Sequence, residues 1–193
     1  MGLISLKIKT FTLITAILFS VTACKNAGDD DDAQTAYDRG DYSAALRIWR
    51  PLAERSNPTA QFSLGLLYDT GEGVQQSYPD AARWYKLAAA QGDAHAQFNL
   101  ALFYDNGKGM PADNIKAAHW YRQAAEQGIR DAQYNLALMF DEGVGIAKND
   151  AEAARWYRKA AERIRIDCES EAIHNLILLL DKPVVLYIRK YLF

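Results

Sequence analysis

Trp84-Tyr85-Lys86-Leu87-Ala88-Ala89-Ala90-Gln91-Gly92 returns as Trp120-Tyr121-Arg122-Gln123-Ala124-Ala125-Glu126-Gln127-Gly128. It returns again, without its ending, as Trp156-Tyr157-Arg158-Lys159-Ala160-Ala161. The step is 36 residues each time. Leu64, Leu100 and Leu136 keep that period, as do Gly71, Gly107 and Gly143, and then Gly73, Gly109 and Gly145. A fixed period of this length marks a stacked array, in which each unit buries its apolar face against its neighbours. The expected function moves with it, from a buried active site toward binding.

Each unit reads as two helices. In the middle unit Ala96, Leu100, Phe103 and Tyr104 fall at helical spacing on one stripe. Asn106-Gly107 stops that helix, because Gly takes the left-handed conformation a helix end requires. A loop through Gly109-Met110-Pro111 leads to Asp113, placed to cap a second helix; Ser77 and Asn149 stand at the same position in the flanking units. Ser77/Asp80 and Asn149/Glu152 have the spacing of capping boxes, while Lys116 breaks the box in the middle unit. The second helix carries Ala117, Trp120, Tyr121, Ala124 and Ala125, so its small residues allow close approach and its aromatics supply buried area. The fold class expected is all-α: an α-solenoid of stacked antiparallel helix pairs. A looser version covers Ala33 to Ser56, with Pro51 inside its second helix, where a lost hydrogen bond and a kink are expected.

The ends of the chain read differently. Lys7 and Lys9 precede a mostly apolar run, Phe11 to Val21, that closes on Thr22-Ala23-Cys24. A basic start, a short apolar stretch and small residues before a cleavage point make a secretory signal over residues 1–23. Val21-Thr22-Ala23-Cys24 also resembles the lipobox of bacterial lipoproteins. That resemblance implies lipidation of Cys24 and a membrane partner through the lipid anchor. Lys25 in place of Asp implies the outer membrane, facing the periplasm. Residues 24–33, with Asp29 to Asp32 in a row, read as a solvated acidic tether. Loss of Lys7 and Lys9 takes the formal charge from −2 to about −4, which excludes the basic excess of a nucleic-acid binder. With Cys24 lipidated, Cys168 has no internal disulfide partner, and a dimer through Cys168 or the C-terminal tail is one expected state.

The repeated residues resemble the Sel-one-like repeats, relatives of the tetratricopeptide repeats. The shared pattern is read in Ala60-Gln61-Phe62-Ser63-Leu64-Gly65-Leu66-Leu67-Tyr68, in Gly71-Glu72-Gly73-Val74, and in Trp84 to Gly92. Ala101 and Ala137 replace the helix Gly, and Met110 and Ile146 the loop Val. The units so delimited are a degenerate opening repeat at 34–58, full repeats at 59–94, 95–130 and 131–163, and a divergent apolar end at 164–193. The resemblance implies an α-solenoid scaffold or adaptor with a protein or peptide partner, and no common reaction or cofactor. It also implies two alternatives. Some exported phospholipase toxins of bacteria are neutralised by immunity proteins that look like this. Some disulfide-rich relatives are linked to β-lactam hydrolysis, but they carry paired cysteines in each repeat, and this chain has neither those nor a Ser-x-x-Lys motif.

Residues able to carry chemistry are sparse. His95, His119 and His174 form no metal spacing and no catalytic constellation. Asp69, Asp105 and Asp141 recur once per repeat and read as turn and cap chemistry. The pairs Trp84-Tyr85, Trp120-Tyr121 and Trp156-Tyr157 read as core. Arg83, Lys86, Arg122, Arg155, Arg158 and Lys159 form a basic stripe on the opposite side of the second helices. The binding candidates are apolar pairs offset from the first-helix stripe: Phe62 and Leu66, Phe98 and Leu102, Tyr134 and Leu138. In a right-handed superhelix such residues line the concave side, or else pack between neighbouring repeats. After Arg163 the pattern breaks. Ala172, Asn175 and Leu176 look like a fourth first-helix displaced by four residues, and Pro183 to Phe193 is strongly apolar. A capping helix plus a strand, a partner-binding patch and an altered native end are all compatible with it.

Overall fold

A computed structural model describes residues 29–166. These residues form eight helices and no strands: α1 (29–38), α2 (Tyr42–Glu54), α3 (Pro58–Thr70), α4 (Tyr78–Ala90), α5 (Ala94–Asn106), α6 (Asn114–Glu126), α7 (Arg130–Glu142) and α8 (Asp150–Ile166). They fall into two compact units divided between Ser77 and Tyr78.

In the first unit α2 packs on α3. Residues 29–33, expected to close the solvated tether, are helical instead. Ala33 is sealed from solvent, and Asp30 accepts a hydrogen bond from the Asn57 side chain at 2.7 Å. Neither interaction is visible in a composition that reads only as hydrated charge. Helix α2 continues past Pro51 to Glu54; Pro51 is exposed, while Trp49, Leu52 and Ala53 on its other side are buried.

In the second unit each helix packs on the next, from α4 through α8. Connections of three residues (91–93, 127–129) join the second helix of one repeat to the first helix of the next, so contacting neighbours run antiparallel. The core is Ala117, Tyr121, Ala124, Leu136, Ala137, Met139, Phe140 and Trp156 with further alanines. The fold is an α-solenoid of stacked antiparallel helix pairs.

The caps explain where the helices begin and end. Asn57 and Asp93 accept from the backbone N–H groups of Ala60 and Ala96, at 2.9 and 2.7 Å. Asp113 does the same for Lys116 N–H, and Asn149 for Ala151 and Glu152 N–H. Where the middle unit lacks a capping box, the Lys116 ammonium instead pairs with the Asp113 carboxylate at 2.8 Å. Backbone N–H groups of Ser77, Asp113 and Asn149 also donate to the carbonyls of Tyr68, Tyr104 and Phe140, which clamps each long loop to the helix before it.

The two loop glycines have different tasks. Gly107 ends α5 in the left-handed conformation, its N–H bonded to the Phe103 carbonyl. Gly109 also has positive φ, but a Cβ there would stand 2.5 Å from the carbonyl carbon and oxygen of Tyr78, the first residue of α4. Gly73 meets Tyr42, and Gly145 meets Asn114, in the same way. The second glycine is therefore needed for the close approach of one repeat to the one before it.

Helix α8 runs to Ile166, so residues 164–166, assigned from sequence to the divergent end, continue the second helix of the third repeat.

Candidate functional site

The six ladder residues stand at equivalent points of the first helices, and all are half-buried: Phe62 and Leu66 on α3, Phe98 and Leu102 on α5, Tyr134 and Leu138 on α7. Their inner edges rest on the stack. The Phe98 ring lies 6.1 Å from that of Tyr121, and the Tyr134 ring 5.6 Å from that of Tyr157. Phe98 and Leu102 pack against the core cluster of the second unit. Of the two expectations for these side chains, packing against the stack is seen for Phe98, Leu102 and Tyr134.

The Trp-Tyr pairs divide. Tyr85 and Tyr121 are fully buried, with Tyr85 edge-on to Phe103 at 5.4 Å. Trp84 and Trp120 are half-buried, and Trp156 is buried. Part of the basic stripe lies over these rings, while Arg122 lies 5.6 Å from the Phe140 ring. Arg83 stands 5.2 Å above Trp84, and Lys159 and Arg155 stand 4.2 and 5.5 Å from Trp156. Their charge sits where it is attracted by the ring faces, and their stems cover the rings.

Asp105 is more than turn chemistry. Its carboxylate accepts the hydroxyl of Tyr121 at 3.1 Å. Burial first, and the Asp105 charge second, push the Tyr121 hydroxyl well above its ordinary range. A period-36 residue the sequence reading passed over is glutamine. Gln61, Gln97 and Gln133 donate their amides to the carbonyls of Ala53, Ala89 and Ala125, eight residues earlier, at 3.0, 3.2 and 3.1 Å. Each tie joins the start of a first helix to the end of the preceding second helix. The Gln127 amide adds bonds to the Gly92 carbonyl and to the Gln97 side chain, at 2.9 and 2.8 Å. Recurrence of Gln at the 36-residue step was the available signal.

The first loop carries a polar cluster of its own. Glu72 accepts from the hydroxyls of Tyr37 and Thr70 at 3.0 and 3.1 Å. A hydrogen bond with Tyr42, and more weakly those with Tyr37 and Thr70, hold its carboxyl below the usual range against the opposing effect of burial. In the second unit the equivalent loop residue, Lys108, places its ammonium 4.3 Å from the Tyr78 ring.

Among the described residues, no three or more His, Cys, Asp or Glu side chains come together as a metal site. No described helix is long and apolar enough to cross a membrane. His119 stands edge-on to Trp120 at 5.1 Å. Cys24, Cys168, His174, the signal region, residues 24–28 of the tether and residues 167–193 lie outside the described residues.

A helix-hairpin array with a polar tie per step and an apolar ladder on its first helices defines a repeat scaffold. The chain belongs to the Sel1 repeat family, whose model matches residues 58–93, 94–129 and 130–163. It is 40% identical to a Sel1 repeat protein from Oxalobacter formigenes of known structure, over 69% of this chain and 53% of that one, with a TM-score of 0.66. It is 33% identical to c5321, a protective antigen present in uropathogenic Escherichia coli strains displaying an SLR fold. That match covers 77% of this chain and 33% of the antigen, with a TM-score of 0.69. The chain thus spans about half the length of the first relative and a third of the second. No curated protein matches this sequence. Proteins of the family are generally non-catalytic scaffolds for protein–protein interaction.

Proposed function

We propose that this chain is a binding scaffold held at the bacterial envelope, and that it takes a protein or peptide partner on the first-helix side chains Phe98, Leu102, Tyr134 and Leu138 of the second unit, with Phe62 and Leu66 at the equivalent positions of the first. The observation that carries this reading is the half-burial of these six side chains, at positions where the neighbouring Leu64, Leu100 and Leu136 are sealed. An apolar side chain whose inner edge is fixed by packing and whose outer edge meets water suits an anchor for a partner, since little conformational freedom remains to be lost on binding. Repetition at one 36-residue step favours an extended ligand that meets several rungs in turn. Lipidation at Cys24 would keep the scaffold at a membrane through its acyl chains, each buried methylene contributing about 0.8 kcal/mol.

The test is Phe98→Asp in the full-length protein, with crosslinked partners recovered from the cells that make it. Loss of a discrete partner with unchanged helical circular dichroism supports the reading. A partner recovered at wild-type yield refutes it. Unfolding assigns Phe98 to the core.

A further inference from the structure

The charges of the second unit divide between its two kinds of helix. The first helices α5 and α7 carry four carboxylates, Asp105, Asp131, Asp141 and Glu142, against one cation, Arg130, a net of −3. The second helices α4, α6 and α8 carry nine cations against five carboxylates, a net of +4. Helix stability does not call for most of these first-helix acids. Asp105 lies in the last turn of α5, and Asp141 and Glu142 in the last turn of α7, where the helix dipole favours cations and neither helix has one.

The acids share the face of the apolar ladder. At about 100° per residue, Asp105 lies about 20° from Phe98 around α5, and Asp141, Tyr134, Leu138, Asp131 and Glu142 fall within about 100° of one another around α7. Asp105, Asp131 and Glu142 are exposed, and Asp141 is half-buried. The two helices meet at one hydroxyl: Tyr121 donates to Asp105 on α5 at 3.1 Å and takes a hydrogen bond from the Asn135 side chain on α7. On the second helices the charges are engaged with one another or with rings. Glu152 pairs with Arg155 at 3.3 Å, and Arg83, Arg155 and Lys159 stand over tryptophans. Among the described residues no cation pairs with Asp131, Asp141 or Glu142.

We propose, resting on the binding face put forward above, that the first helices of the second unit take an extended segment in which apolar side chains alternate with lysine or arginine. The apolar side chains meet Phe98, Leu102, Tyr134 and Leu138, and the cations meet Asp105, Asp131, Asp141 and Glu142. Asp105 keeps acceptor capacity beyond the lone pair that Tyr121 uses. Exposed carboxylates beside half-buried apolar side chains attract such a segment and repel an acidic one, which sets the approach rate and the choice of partner more than the strength of the final contact. The basic second helices repel the same segment, so their charge directs it to the first helices.

The experiment is fluorescence anisotropy of the purified full chain with two labelled probes, a peptide of Leu-Lys-Ser repeats and one of Leu-Glu-Ser repeats. Wild type is compared with Asp141→Lys/Glu142→Lys, with Leu138→Ser, and with Glu126→Lys on the exposed side of a second helix as the control. New cations suit the end of α7, so the double variant keeps its fold, which circular dichroism checks. The lysine probe should bind wild type about tenfold tighter than the glutamate probe in about 0.05 M salt, and the preference should shrink severalfold in about 0.5 M salt. The double variant should lose about tenfold in affinity for the lysine probe, and the control less than about twofold. Equal affinity for the two probes, lost in Leu138→Ser, would overturn the cationic preference and leave the binding face standing. A lysine preference that survives both the double variant and Leu138→Ser would put the contact elsewhere and overturn both. Tighter binding of the glutamate probe, or no binding of the lysine probe at about 1 mM, would overturn the proposal. So would a wild-type dimer that the double variant turns into a monomer in light scattering, which would give this face to a second copy.

Discussion

Gln97 donates its side-chain amide to the carbonyl of Ala89 across 3.2 Å while lying 96% removed from solvent, so a polar group inside the stack fixes the step between two repeats. That carbonyl also accepts from Gly92 N–H, and the Gln97 oxygen accepts from Gln127. The glutamine therefore secures the turn at the end of α4 as well as the start of α5. Gln97→Ala should cost about 1–2 kcal/mol, near the low end for a buried polar loss because the carbonyl keeps one partner. Urea unfolding midpoints measure it. A neutral substitution would mean the tie is incidental.

Glycine requirements should differ by position. Gly128 has a φ of +93° and nothing within 4 Å of an added Cβ. Gly128→Ala should cost only the left-handed strain of an L-residue, about 1–2 kcal/mol. Gly109→Ala adds a clash with the Tyr78 carbonyl. It should exceed Gly128→Ala by about 1–3 kcal/mol, the usual range for forced overpacking. Equal costs in parallel unfolding curves would remove the close approach as the reason for the second glycine.

Stability should fall at both pH extremes around the first loop. Glu72 has a carboxyl pKa lowered by its hydroxyl donors, so the folded chain gives up this proton more readily than the unfolded one. Its contribution is present above the ordinary carboxyl value of 4.5 and is lost as pH falls through the lowered value. Tyr37 is the opposite case. Burial, then the Glu72 hydrogen bond, push its hydroxyl up to about 12 from 10.0. The folded chain holds that proton more tightly, so stability is full below pH 10.0 and drains as pH rises toward 12. Glu72→Gln should flatten the acid limb of a Tm-against-pH curve, and Tyr37→Phe the alkaline limb. An unchanged curve in either variant would contradict the corresponding assignment.

These features show what a sequence reading reaches and what it does not. Caps are local, so Asn57, Asp93, Asp113 and Asn149 were legible from their place before an apolar stripe. The period alone placed the helix pairs. Contacts across repeats were not legible, because they join residues far apart in the chain. The Gln97 tie to Ala89, the Gly109 approach to Tyr78 and the Asp105 acceptance of Tyr121 depend on which carbonyl or hydroxyl a neighbouring helix presents. The aspartates Asp29 to Asp32 read as hydrated charge, because the bond from Asn57 to Asp30 joins residues far apart in the chain. The offset stripe was visible in the sequence; the half-burial of its residues was not, because it depends on the helices packed beside them.

Anchoring makes a separate prediction. Cys24→Ala should abolish incorporation of labelled fatty acid and move the protein from the membrane pellet to the soluble fraction. Retention in the pellet without label would leave the scaffold membrane-associated by another route.

The central claim is that the first-helix face receives the partner, and site-specific photocrosslinking in living cells tests it most directly. A photoreactive residue at Leu102 and at Leu138 is compared with one at Leu87, an apolar second-helix position that is 42% exposed. Discrete adducts of one mass at Leu102 and Leu138, absent at Leu87, are the predicted result. Adducts at Leu87 alone, or at all three positions alike, would contradict it.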